Sequence, residues 1–217
     1  MIKIENVDVF GWQAAIRGMR NPLNSWDKRD SYFGFTGFQA GEKDLKLMTT
    51  LSKAGSDHGK FLRMINVTLD ITAPLYWWKE FDTYKVGTVV NACSTMHKIH
   101  DKEFGLDDFS HEHLFNDDGQ ECHHEKSIKI LEYLISILNY NRMRFLATND
   151  KQFWWQLIQL LPSSYNQKRT IQLNYQVLKS MYFARRNHKL DEWVEFCNWI
   201  ETLPYAKELI LNEIDEN

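Results

Sequence analysis

At 217 residues, 43% of them hydrophobic and 14% aromatic, the chain has ample material for a substantial core. Its formal net charge of −3 excludes the global basic field that a nucleic-acid polymer would need. No run approaches the roughly 18 consecutive apolar residues of a membrane span.

The three cysteines, Cys93, Cys122 and Cys197, are odd in number and far apart. That argues against a disulfide framework and for a reducing, cytoplasmic compartment. The opening MIKIENVDVF carries acidic residues where a signal peptide needs a long apolar run. With no linker dividing the chain, one domain spanning residues 1–217 is expected.

Residues 1–10 read as a short first strand with Ile2, Ile4 and Val7 as its apolar members. Residues 12–20 suit a helix, and residues 21–41, rich in Gly, Asn, Ser and aromatics, read as a loop. Glu42 to Ala54 is a helix with Leu45, Leu47, Met48 and Leu51 able to face a core, closed by Gly55.

The stretch Ile65–His97 has the clearest pattern in the chain. Ile65, Val67, Leu69 and Ile71 alternate with Asn66, Thr68, Asp70 and Thr72, the period of a strand with one buried face. Pro74 sits where a helix can begin. Tyr76, Trp77, Trp78, Phe81 and Tyr84 come next, then Gly87, Thr88, Asn91, Ser94 and His97. A strand leading to a helix and a small-residue loop suits ligand presentation; core packing accounts for the aromatics as well.

Residues 101–126 hold seven Asp or Glu before Gly119 and read as a solvated loop or flap. His97, His100, His111, His113, His123 and His124 gather around it with Cys122. Their spacing matches no zinc pattern, so they read as surface histidines with no metal site. From Ser127 onward the chain reads as helical. Leu131, Leu134, Ile135 and Leu138 share one face, Pro162 interrupts Phe153–Leu161, and Trp193, Phe196, Cys197 and Ile200 form a later stripe. A small sheet and then a helical half make the class α+β or α/β.

There is no P-loop, GxGxxG or GxSxG. Cys93 and Ser94 near His97 lack a third orienting group, and Glu80 and Asp82 point to different faces of a helix. Local motifs therefore name no reaction.

The order of landmarks along most of the chain resembles the flavin-dependent thymidylate synthase (ThyX) family. Its His-to-Phe turn matches His58 to Phe61, ahead of the alternating strand and Pro74. Its signature of Arg-His-Arg, Ser, Asn, Ser and Arg-Tyr corresponds to Thr83-Tyr84-Lys85, Thr88, Asn91, Ser94 and Met96-His97, with one extra residue between Thr88 and Asn91. Its Leu-Pro, Tyr and Asn match Leu161-Pro162, Tyr165 and Asn174. Its Leu-x-Arg aligns with Phe183-Ala184-Arg185, and Trp193 takes the place of the Trp in its closing helix.

The resemblance implies a ThyX-like α+β domain, a small antiparallel or mixed sheet packed with a helical half. It implies FAD reduced by NADPH, supporting methylene transfer from methylenetetrahydrofolate to C5 of a pyrimidine deoxynucleotide such as dUMP. It places His58, Lys85, Asn91, Ser94 and Asn174 at the cofactor, and Arg185, Tyr84 and Thr88 at the substrate. Loop and cap hydrogen bonding accounts for Asn91 and Ser94 equally well. It also implies a homotetramer with active sites between subunits, the aromatic surplus being partly interface.

The departures open a second class. The family's arginines for nucleotide phosphate and base match Thr83, Ile158 and Arg185, so Arg185 alone survives, and neither Thr nor Ile replaces a guanidinium fork. Lys79, Lys85, Lys98 and Arg169 are candidates to bind phosphate in their place. The alternative is a catalytically inactive protein of this fold that binds or sequesters a nucleotide, as a viral decoy would.

Overall fold

The alternation seen in the central stretch forms strand β4 (Asn66–Pro74), and its inward residues Val67, Leu69, Ile71 and Ala73 are all buried, as is Ile65 before it. The computed structural model describes residues 2–35, 37–116 and 127–212. With β1 (Lys3–Phe10), β5 (Val89–Ala92) and β6 (Asn166–Asn174), β4 makes a four-stranded sheet in the order β1-β4-β6-β5. On the polar face of β4, Asp70 accepts from Asn6 Nδ2 at 2.9 Å and from Thr170 Oγ1 at 2.6 Å. One carboxylate thus links three strands. The class is α+β.

Two compact units divide the chain. The larger comprises Ile2–Ile71, Asp82–Val90 and Thr170–Asn217, and the smaller is built mainly from Thr72–Phe81 and Asn91–Arg169.

In the larger unit, α1 (Trp12–Arg20) buries Trp12, Ala15, Ile16 and Met19. Trp12 stacks on Phe38 at 4.7 Å and meets Tyr175 and Tyr205 edge-on. Residues 21–41 hold more structure than a loop. Two 3-10 turns, Asn21–Leu23 and Trp26–Lys28, precede a hairpin of β2 (Tyr32–Gly34) and β3 (Gly37–Gln39). These strands are too short for a period of two to register.

Helix α2 (Glu42–Lys53) buries Asp44, Met48 and Ser52 rather than a leucine stripe. Both polar members are hydrogen-bonded: Asp44 by Arg20, and Ser52 by Leu209 O at 2.7 Å and Lys179 Nζ at 3.0 Å. Helices α7 (Tyr175–Arg185), α8 (Asp191–Glu201) and α9 (Ala206–Leu209), from the far end of the chain, complete the unit. The expected stripe Trp193, Phe196, Cys197 and Ile200 is buried on α8. Val7, read as an apolar member of β1, is instead exposed.

In the smaller unit, Pro74 ends β4 and α3 (Leu75–Phe81) begins one residue later. Trp77, Trp78 and Phe81 are buried against one another, and Trp78 Nε1 donates to Gln167 O at 2.9 Å. These aromatics are core. After the short α4 (Thr95–Lys98) come α5 (Ser127–Thr148) and α6 (Lys151–Leu160), whose Leu131, Ile135, Leu138 and Leu157 pack with Ile99, Phe104 and Phe109.

The described part of the expected flap is therefore anchored. Phe104 and Phe109 are buried, and Asn139 both accepts from the Phe104 N–H and donates to its carbonyl, each at 2.9 Å. Residues 117–126, with Cys122, His123 and His124, lie outside the described residues.

The helical reading from Ser127 onward fails at β6, an interior strand of the sheet. Its sequence, NQKRTIQLN, hides the alternation because Gln167 is buried, its Nε2 donating to Cys93 O at 2.7 Å. Among the described residues no helix is long and apolar enough to cross a membrane.

Candidate functional site

The segment after α3 turns at Gly87, whose φ of +76° lies in the left-handed region that favours glycine. A Cβ there would lie 3.0 Å from Asn174 Nδ2 and 3.1 Å from Val177 Cγ2. The absence of a side chain lets this loop lie against the start of α7. Asn174 caps that helix, its Oδ1 accepting from the Val177 N–H at 3.1 Å. The loop and the helix N-terminus enclose a cavity of about 480 Å³ within the larger unit, lined by Thr83–Gly87, Arg63, Asn174, Gln176, Val177 and Ser180. That volume is in the range of small-molecule sites.

Arg63 and Lys85 bring positive charge to this cavity, and the N-terminus of α7 adds the partial positive charge of its unpaired amides. Tyr84, half-buried, supplies a ring. It is held from behind: Arg185 Nε donates to Tyr84 Oη at 2.9 Å, and the guanidinium lies 5.5 Å from the Tyr84 ring and 4.8 Å from that of Trp193. Arg185 does not line the cavity itself.

Of the residues singled out in the sequence, Lys85, Tyr84 and Asn174 meet at this cavity and Arg185 reaches it through Tyr84. Thr88 comes directly after Gly87, and its Oγ1 is buried without a hydrogen-bond partner among the described residues. His58 is exposed at the start of the 3-10 turn Gly59–Met64 and does not line the cavity. Asn91 and Ser94 belong to the smaller unit, both exposed; Ser94 Oγ accepts from the His97 N–H at 3.2 Å, a helix cap.

Among the cations proposed to replace the missing arginines, Lys98 pairs with Asp101 at 2.7 Å and Arg169 stacks over Trp78 at 4.3 Å. Ile158 packs in the apolar cluster of the smaller unit. Arg63 is the cavity cation that sequence reasoning missed. It lies five residues beyond His58, in the same turn that the resemblance had marked.

Among the described residues no group of three His, Cys, Asp or Glu side chains could hold a metal ion. No protein-family model matches the chain, and no curated protein matches its sequence. Solved structures do. Thymidylate synthase X (ThyX) from Helicobacter pylori, crystallised with FAD and dUMP, superposes with a TM-score of 0.69 at 14% identity, covering 97% of each chain.

The chain has the ThyX fold. A second structure of the Helicobacter pylori ThyX with FAD and dUMP gives a TM-score of 0.69 at 15% identity, covering 98% of this chain and 100% of that one. A UMP/dUMP methylase, PolB from Streptomyces cacaoi, bound with 5-Br UMP, gives 0.61 at 16% identity, over 96% of this chain and 93% of the other. The ThyX fold thus extends over nearly the whole chain.

Proposed function

We propose that this chain binds a phosphate-bearing pyrimidine nucleotide, dUMP being the first to test, in the cavity between the Thr83–Gly87 loop and the start of α7. The observation that carries this reading is the convergence of Arg63, Lys85 and a helix N-terminus on one cavity beside an oriented tyrosine. The cations and amides would hold the phosphate, and the Tyr84 ring would bear on the base. Structures of the same fold were solved with dUMP or 5-Br UMP, which supports a pyrimidine nucleotide over other anions.

If FAD binds, it would supply hydride transfer, with NADPH as reductant and methylenetetrahydrofolate as the one-carbon donor to C5 of the pyrimidine. The chain's own part would be to fix the phosphate with Arg63 and Lys85, and to keep Tyr84 in place through Arg185. A non-catalytic nucleotide binder is the second reading. It is favoured by Thr83, a neutral group on the cavity wall, and by Ile158, which is packed in a core.

An absorbance spectrum after FAD addition and desalting, and then a dUMP titration, separate the readings. Retained flavin bands with dUMP binding support the enzyme. Binding of dUMP without flavin supports the binder, and binding of neither overturns both. We also read the chain as a homo-oligomer, with Ile130, Tyr133, Tyr140, Met143 and Leu146 exposed on α5 as material for an interface. A monomer by light scattering at micromolar concentration would refute that.

A further inference from the structure

A second cleft in the larger unit has no part in the site above. It encloses about 260 Å³ and is lined by Ile16, Arg17 and Arg20 of α1, by Trp26, and by Arg29. Arg20 is its structural member. It is 4% exposed, and its Nε donates to Asp44 Oδ1 at 2.7 Å. Its terminal nitrogens donate to Ser25 O at 3.2 Å and Lys28 O at 3.1 Å.

Asp44 in turn accepts from the Asp30 and Ser31 amides and from Ser31 Oγ, while Asp30 accepts from the Lys43 and Asp44 amides at the start of α2. The loop from Asn21 to Ser31 is therefore stapled at both ends. The backbone from which Trp26 and Arg29 project is thus fixed before any ligand arrives, which lowers the entropic cost of ordering the loop on binding.

Three side chains of the cleft have no role in that network. Arg17 and Arg29 are exposed, and among the described residues neither guanidinium has a carboxylate or hydrogen-bond partner. Trp26 is 53% exposed, its indole held in place by Nε1 donating to Asn21 Oδ1 at 2.8 Å. Among the described residues no contact accounts for either guanidinium, and the Trp26 ring leaves half its area in water. Two uncommitted guanidiniums suit an oxyanion, which they bind through charge-assisted bonds. The indole and the buried Ile16 suit a planar apolar group joined to it.

We propose that this cleft is a binding site for a small planar aromatic oxyanion, a ring bearing a phosphate or a carboxylate. Arg17 and Arg29 hold the oxyanion, Trp26 stacks on the ring, and Arg20 keeps the loop in register.

The test is a titration of the full-length, ¹⁵N-labelled chain with phenyl phosphate, benzoate and inorganic phosphate, read at the Trp26 indole N–H signal, which Trp26→Phe assigns. The expected result is saturable binding of phenyl phosphate, benzoate or both, weakened about tenfold in Arg17→Gln and in Arg29→Gln. Those variants keep the wild-type melting temperature, and Lys85→Ala leaves the titration unchanged. Tighter phenyl phosphate assigns a phosphate ligand, and tighter benzoate a carboxylate. The proposal fails if no probe shifts the signal, if the Gln variants bind as wild type, or if Lys85→Ala abolishes the effect. It fails too if inorganic phosphate binds as tightly as phenyl phosphate.

Discussion

Two loops of the larger unit bring cations to a cavity, and they are held in opposite ways. The Asn21–Ser31 loop is stapled by a buried ion pair, Arg20 to Asp44 at 2.6 Å, and by amides that converge on the same carboxylate. The Thr83–Gly87 loop is exposed over most of its length and is positioned by a missing side chain at Gly87 and by Asn174 at the head of α7. The first loop depends on charges that water does not reach, the second on a gap that any larger residue would fill. Substitutions should separate the two by what is lost, stability in one case and binding in the other.

The largest effect is expected at Asp44. Asp44→Ala strands the Arg20 charge in the interior and should destabilise the fold by about 3–5 kcal/mol in urea unfolding, because a lone buried ion is what remains. In the wild-type protein burial pushes the Asp44 carboxyl up, but hydrogen bonds from Ser31, Arg20 and the Asp30 and Ser31 amides outweigh it and hold the group below the usual carboxylate range. A depressed carboxylate contributes stability at pH above its unfolded value of about 3.9, and that contribution is lost as the pH falls through the folded value. Wild type should therefore show an acid-induced loss in that window, and Asp44→Asn should show less of one.

Gly87→Ala comes next. It forces a side chain into a left-handed backbone and into the cap of α7, at a cost of about 1–3 kcal/mol. It should weaken dUMP binding with the Asn21–Ser31 loop unaffected. Equal dUMP affinity in calorimetry would mean that the loop does not form the site.

Arg185→Ala removes the hydrogen bond and ring contacts that orient Tyr84. A charged hydrogen bond is worth about 1.5–3 kcal/mol, so dUMP affinity should fall by about tenfold or more, with Arg185→Lys recovering part. Unchanged affinity would remove Arg185 and Tyr84 from the reading.

The smallest effect belongs to Thr88→Val. Its hydroxyl is buried without a partner among the described residues, so exchanging it for a methyl group should leave the melting temperature unchanged or raise it by an amount worth up to about 1 kcal/mol. A loss of nucleotide affinity instead would identify the hydroxyl as a ligand contact.

Legibility in the sequence divides along similar lines. Strand β4 was legible because fully buried and half-buried residues alternate without exception from Asn66 to Ala73. The stripe on α8 was legible for the corresponding reason at helical spacing. Strand β6 was hidden because burial of Gln167 is made tolerable by a bond to Cys93 O, which no periodicity records. The stripe of α2 was hidden likewise, since Asp44 and Ser52 are buried only because distant residues satisfy them.

The order of family landmarks led to Tyr84, Lys85 and Asn174 but passed over Arg63, which reaches the cavity from another segment of the chain. The cleft at Arg17, Trp26 and Arg29 left no trace, since it joins a helix face to a segment that reads as a loop.

The larger unit draws its residues from both ends of the chain, with Lys179 bonded to Ser52 across 127 residues and Tyr205 Oη accepting from the Ala40 amide across 165. On a ribosome its first segment, ending at Ile71, emerges well before Thr170. At about 5–20 residues per second the delay is on the order of five to twenty seconds. During that interval the apolar side of β4 lacks the later helices of its own unit, and the nascent chain must be kept from aggregating until the segment from Thr170 onward has been made. Such distant pairings also slow folding once synthesis ends.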